Sequence, residues 1–481
     1  MPTRRLLLGA GLGLVATAAA PRLLKSPPPA SPAAPTGGKV CHVAPGGSDE
    51  AGDGSFGRPF ASLPRAYAAA EPGDTILMRG GTYGLGGPSG WLLVGHGGRP
   101  GRPVRIESLP GETPVIDGSG MRPPTGRNLA WASRRQAGGF PLALWDAPHV
   151  ELRGLTVCNG PMGGIHVNGT HDGLLVERCV TRDNGWLNDE HGVGLGLYGV
   201  GQANTVRNCD SHGNRGGGPA ATGGNADGFQ IALLESTGTV VSGNRSWRNG
   251  DDGFDFFVTS PREDDRSVTG YLVDGNWSFE NGCHADGTLN AGGDGVGFKL
   301  GGRRQGSRAR YGGHTVTRCL AWCNKVAGFD DNGYNGGTEP HTVFNNTAFN
   351  NGCNTDRALG EPGFAYIFQH HARTRLCNNI AFATEPRNEV RIRLAYESHN
   401  ARNRTPWNSF APVLSFDASD FASLDDREAR GPRKPDGALP ATAFLRPSAA
   451  SRLGGRGTGT GLPAHIRYDG AYPDLGAIQT I

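Results

Sequence analysis

Apolar and polar positions alternate in short runs along most of this chain. Segments such as TVVSGN (239–244) and HTVTRC (314–319), with alternating β-branched residues, predict short strands. The runs recur. A small or polar residue, four intervening residues and an asparagine appear as GLTVCN, CVTRDN, CDSHGN, NRSWRN, NWSFEN, CLAWCN and NTAFNN. Their last residues are Asn159, Asn184, Asn214, Asn249, Asn281, Asn324 and Asn351, spaced 25 to 43 residues apart. A second column is glycine followed by phenylalanine, at Gly228-Phe229, Gly253-Phe254, Gly297-Phe298, Gly328-Phe329 and Gly363-Phe364. A β-rich unit of 25 to 35 residues carrying two such columns predicts a parallel β-helix, with insertions where the interval lengthens. The asparagines should form an amide ladder inside a turn, and the phenylalanines should stack in the core. A leucine-rich repeat needs regular leucines, which are absent. Helical repeats do not tolerate this much glycine.

The two ends read differently. Residues 41–83 resemble the opening segment of secreted right-handed β-helix proteins. That resemblance implies a short capping helix near 61–70, with GDTILMRGGTY as the first coil. A cap is physically required, since the open end of a β-helix is an exposed sheet edge. The expected fold class is therefore all-β, a right-handed parallel β-helix (solenoid) with an N-terminal capping helix. Ahead of it, residues 1–25 place two arginines before a short apolar run and a small-residue stretch. This is an export signal, twin-arginine-like, and too short for a membrane anchor. Residues 26–38 are a Pro/Ala-rich linker. The β-helix domain spans 39–400, with recognisable coils fading near 395, and 401–481 is a C-terminal tail packed along it. The expected location is secreted or periplasmic, with no membrane association after signal removal.

Composition narrows the partners. The 79 glycines in 481 residues fit a fold with many corners. A net charge of +3 gives no basis for nucleic-acid binding and permits an acidic substrate. The nine cysteines are an odd number without a C-x-x-C pair, so neither a disulfide framework nor a zinc site is expected. Cys319 and Cys323 read as buried thiols rather than ligands. A monomer is expected, because the coil stack closes its own core.

The columns concentrate acidic residues. Registered on glycine-phenylalanine, Asp227 and Asp252 become neighbours on adjacent coils. The residue after the phenylalanine runs Gln230, Asp255, Lys299, Asp330. Asp251 lies at the corner beside Asp252, and a bend at Gly253 would turn both Asp252 and Asp255 toward solvent. One aspartate beside glycine is an ordinary turn cap. Four falling together repel one another, and Lys299 alone does not balance them. A hard divalent cation with oxygen ligands does, and Ca²⁺ suits such a set best.

NADGF, DDGFD, GFKLGG and HTVTRCLAWCNKVAGFDDN, followed by NNTAFNNG, resemble polysaccharide lyase family 9, most strongly over 150–385. The family consists of secreted pectate lyases on a right-handed parallel β-helix. The resemblance implies that Asp227, Asp251, Asp252 and Asp255 bind Ca²⁺, that Lys299 is the catalytic base, and that the reaction is β-elimination of an acidic, pectate-like polysaccharide. A lysine acts as a base only when neutral, which predicts an alkaline optimum. Arg303 and Arg304 are candidates to clamp uronate carboxylates, the alternative being two solvated arginines. The long segment between Asp255 and Lys299 departs from the family pattern and leaves the polymer open. Two other readings stand beside this one: a polygalacturonase-like glycoside hydrolase, and a non-catalytic carbohydrate-binding β-helix.

Overall fold

The structure is a computed structural model of the chain. It describes residues 37–122, 138–187, 192–216, 224–258, 270–284, 286–302, 312–332, 339–352, 363–369, 371, 373–384, 389–393, 395–403 and 414–479. The proposed export signal and Arg303 and Arg304 lie outside these, as does the linker up to residue 36.

Three parallel sheets of 12, 10 and 11 strands run through the described residues, and each coil adds one strand to each sheet. The first sheet begins at Val40–Val43, the second at Trp91–Val94 and the third at Gly81–Gly84. The third continues to Ala401–Arg402, so the coils persist past the point near 395 where the sequence pattern fades. Among the described residues one α-helix, α1 (Leu63–Ala69), lies against the first strands with Leu63, Ala66 and Tyr67 buried. Ser62 caps it by accepting a hydrogen bond from the Arg65 amide, and Pro64 sits in its first turn where no donor is needed.

The three-residue strands of the first sheet point their middle residue inward. Val206, Val241, Val273, Val316 and Val343 therefore form one fully buried, in-register column. Burying aliphatic side chains on top of one another is the main favourable term in such a stack. The phenylalanine column forms as the sequence predicts. Phe229, Phe254, Phe298 and Phe329 stack with centroids 4.8, 4.8 and 4.9 Å apart, which is one coil rise. The next ring is Tyr366, at 5.0 Å, and not Phe364, which pairs with Ala327. The expected Gly363-Phe364 position is two residues early, a shift that keeps side chains on the same face and so leaves the pattern ambiguous.

The asparagine ladder also forms. Asn184, Asn214, Asn249, Asn281, Asn324 and Asn351 each pass a side-chain amide bond of 2.8–2.9 Å to the next. Asn159 is not a rung. Strand register places it beside Asp183, and Gly160 instead donates its amide to Asn184. A second ladder lies at the corner between the first and third sheets. Asn244 bonds Asn276 at 2.9 Å, and Asn346, Asn379 and Asn400 continue the series at 3.0 and 2.9 Å. Cys179, Cys209 and Cys319 occupy the same corner column as buried thiols.

Residues 414–479 pack on the outward face of the third sheet. Phe416, Phe421, Phe444 and Leu475 cover a row that includes Phe279, Trp322 and Phe382. Arg433 pairs with Asp210 at 2.8 Å and Trp322 donates to Asp426 at 2.7 Å.

Candidate active site

Four strands of the second sheet carry the site: β1 (Phe229–Glu235), β2 (Phe254–Asp255), β3 (Val296–Lys299) and β4 (Ala327–Asp330). Their register pairs Gln230 with Asp255, Asp255 with Lys299, and Lys299 with Asp330. The glycine before each phenylalanine is forced by space. A Cβ on Gly253 would lie 2.0 Å from Ser278 Oγ, and one on Gly228 would lie 1.9 Å from Ser246 Oγ. Glycine there lets the chain bend tightly over the asparagine ladder, and the bend aims the flanking aspartates at one point.

Asp227, Asp252 and Asp255 each bring a carboxylate oxygen within 4.8 Å of the others, and so do Asp251, Asp252 and Asp294. The four aspartates expected from sequence are thus gathered in one place. They do not point to solvent: Asp227 and Asp252 are 0% exposed, Asp251 3% and Asp255 4%. The reason is the segment that leads into β3, which lies over them. The Asp294 amide donates to Asp251 at 2.5 Å and the Val296 amide to Asp252 at 2.7 Å. Lys325 holds this segment down by donating to the Asn290 and Gly293 carbonyls at 2.8 and 2.5 Å. Further bonds orient the carboxylates. Asp227 accepts from the Asp252 amide at 3.0 Å, and Asp255 accepts from the Phe257 amide at 2.8 Å and from Gln230 at 3.3 Å.

Lys299 Nζ lies 2.9 Å from Asp252 Oδ2 and 2.9 Å from Asp294 Oδ2. Asp294 is the member that sequence reasoning missed. It sits in the insertion between coils, outside the repeating columns, and its only signal is an acidic residue just upstream of the GVGFK strand.

The charges do not balance. Burial, with Asp255, Asp251 and Asp252 beside it, holds Asp227 well above the usual carboxylate range. Burial and Asp251 do the same to Asp252, and burial raises Asp255 against the pull of Lys299. Burial lifts Asp251 to about 7 despite Lys299, and lifts Asp330 to about 7. The partly exposed Asp294 is held down, chiefly by Lys299. Burial pulls Lys299 down, but Asp252, Asp255, Asp251 and Asp294 outweigh it and hold the ammonium charged. Two buried oxygens are left over. Asp227 Oδ2 accepts no hydrogen bond from the described residues, and Asp252 Oδ2 has the nearby ammonium but no bond of hydrogen-bonding geometry. Unsatisfied buried carboxylate oxygens are costly. An all-oxygen set of this kind fits a hard divalent cation, and Ca²⁺ in particular.

A family model described as "Pel9A-like, right handed beta helix region" matches residues 41–363. The chain is 31% identical to pectate lyase L of Dickeya chrysanthemi, over 92% of this chain and 90% of that protein. It is 30% identical to pectate lyase PEL9 of Emericella nidulans, over 86% and 93% of the two chains. Among solved structures it superposes on pectate lyase Pel9A with a TM-score of 0.68 and 28% identity, covering 92% of this chain and 96% of that one. Matches of this length take in every coil that builds the aspartate cluster, and the chain belongs to the Pel9A-like right-handed β-helix family.

Proposed function

We propose that the protein is a polysaccharide lyase that cleaves pectate, or a closely related uronic-acid polymer, by calcium-dependent β-elimination. The observation that carries this is the juxtaposition of a lysine with buried aspartates whose oxygens are incompletely satisfied, on adjacent coils of one sheet. The long similarity to named pectate lyases supports the substrate class. Asp227, Asp251, Asp252 and Asp255 hold the cation. Bound there, Ca²⁺ would offset their charge and supply Lewis acidity toward a substrate carboxylate, which would make the adjacent C5 proton more acidic.

Lys299 is the base. Its neutral amine takes the C5 proton, the electrons form the C4–C5 double bond, and the C4–O4 bond breaks. The departing oxygen takes a proton from solvent. The amine must first be neutral, and the surrounding carboxylates oppose that. The rate is therefore expected to rise with pH on the alkaline side of neutrality. The enzyme works outside the cytoplasm, consistent with the export segment read from residues 1–25.

Mass spectrometry of the products from a defined oligogalacturonate tests the reaction. Elimination divides the chain without adding water and leaves one unsaturated end. A product set in which every cut has added one water would show a hydrolase instead. Intact substrate, bound but not cut, would leave a binding surface.

A further inference from the structure

A cavity of about 620 Å³ opens on the N-terminal side of the aspartate cluster, within the size range of small-ligand sites. Arg122, Asp183, Trp186, Leu187 and Arg215 help line it. It is continuous in register with the site already described. Arg215 follows ladder residue Asn214 as Gly250 follows Asn249, and the Gly250 amide donates to the Asn214 carbonyl. The Arg215 Cα lies 3.5 Å from where a Cβ on Gly250 would stand, and Asp251 is the next residue. The lining spans the coils with third-sheet strands Pro114–Asp117, Thr156–Cys158, Val180–Arg182 and Asp210–His212. Three coil steps amount to roughly 14 Å along the axis. That is room for more than one sugar.

Its chemistry is that of an acidic sugar site. Trp186 is half-buried, and its indole is fixed by donating from Nε1 to the Asn159 carbonyl at 2.7 Å. A fixed indole presents apolar surface to one face of a pyranose. Arg122 and Arg215 are exposed, and neither has a carboxylate of the described residues within ion-pair distance. The Arg122 guanidinium is instead steadied by the Ser119 and Met121 carbonyls at 3.0 and 2.6 Å. Asp183, the acidic member, is already paired with Arg182 at 2.7 Å, which reduces its repulsion of an anion. Two unspent guanidiniums beside a held aromatic ring match the carboxylates and ring faces of consecutive uronate units.

We infer that this cavity is a second uronate-binding region: Arg122 and Arg215 take the carboxylates, and Trp186 takes the ring, of units of the same polymer that lie beyond the aspartate cluster. It rests on the acidic-polysaccharide reading above. The region makes the protein prefer long chains over short ones.

The test uses the full chain carrying Lys299→Ala, with calcium present, so that binding is read without turnover. Affinities for tri- and hexagalacturonate are compared after adding Arg215→Gln, Arg122→Gln or Trp186→Ala. Each arginine change should weaken the hexamer about tenfold, as expected for the loss of one charge-assisted contact. The trimer, which reaches fewer of these residues, should lose less. Both arginines are exposed, so their replacement leaves the fold intact and the result interpretable even if Trp186→Ala does not fold. A hexamer affinity that survives both arginine changes, or a loss shared equally by the trimer, overturns the inference. So does equal binding of a hexamer whose carboxylates have been reduced. Turnover by the chain with Lys299 in place is a separate measurement. If it yields no unsaturated product while the hexamer still depends on Arg215, the lyase reading fails and the binding region stands.

Discussion

Asp227 is the residue at which the charge imbalance is most acute. It is fully buried, three other aspartates face it, and one of its oxygens accepts no hydrogen bond from the described residues. Its folded pKa lies above the unfolded value, so without a cation it takes up a proton on folding. A raised pKa of this kind gives stability at low pH that is lost as pH rises through the folded value. Asp227→Asn removes that requirement and still offers an oxygen to the Asp252 amide. The calcium-free variant should therefore melt several degrees above the calcium-free parent at pH 8. Calcium should raise the parent's Tm and have little effect on the variant's. Differential scanning calorimetry with calcium and with chelator checks both. A calcium-free variant that melts lower than the parent would contradict the account. The gathering of Asp227, Asp251, Asp252, Asp255 and Lys299 in one place was legible in sequence because the columns put them in register. Asp294 was not, because insertions have no column. The burial of the cluster was also hidden, since it depends on where that same insertion lies.

Corners set the geometry at the scale of the element. At Gly253 the interior leaves no room for a methyl group, with Ser278 Oγ and the Gly297 carbonyl 2.0 and 2.7 Å from a Cβ. Gly253→Ala should cost about 2 kcal/mol of stability through overpacking. It should also lower calcium affinity, because Asp252 and Asp255 flank the bend. A titration that finds unchanged affinity would separate the bend from the site. Another corner carries a pH response. His314 Nδ1 accepts the Tyr271 amide at 3.0 Å, and His341 Nδ1 accepts the His314 amide at 3.2 Å. Neutral rings are required for both bonds. Burial lowers His341 from 6.5 to about 4, with Asp331 opposing and His371 adding, and burial with His341 takes His314 well below 6.5 as well. The unfolded chain binds protons here that the folded chain refuses, so stability should fall as pH drops from 6.5 toward 4. Each ring contributes up to about 1.4 kcal/mol per pH unit. Urea unfolding at several pH values reads the slope, and His341→Gln should make it shallower. Asparagine spacing revealed one ladder but misplaced its first rung. A second ladder escaped notice because cysteines interrupt its asparagines, and the sequence alone reads that column merely as small or polar.

For the whole molecule, the parallel stack is the feature most plainly written in the chain, since each coil repeats the same inward pattern. The role of residues 414–479 is less so. These residues have no repeat, and their packing depends on an outward aromatic row, Phe279, Trp322 and Phe382, that looks in sequence like more core. A chain ending at residue 403 would expose that row, and patches of this kind promote association. Its monomer fraction in light scattering should fall, and its Tm with it, whereas a tail without structural weight would leave both unchanged. The central claim, that register builds a calcium-assisted lyase around Lys299, is tested most directly by ultraviolet absorbance. Polygalacturonate is incubated with the mature protein in calcium, then with chelator, and again with Lys299→Ala. The account predicts a rising signal from the unsaturated product, abolished by the chelator and by the substitution. A signal that persists with Lys299→Ala, or reducing ends that accumulate without any absorbance, would contradict it.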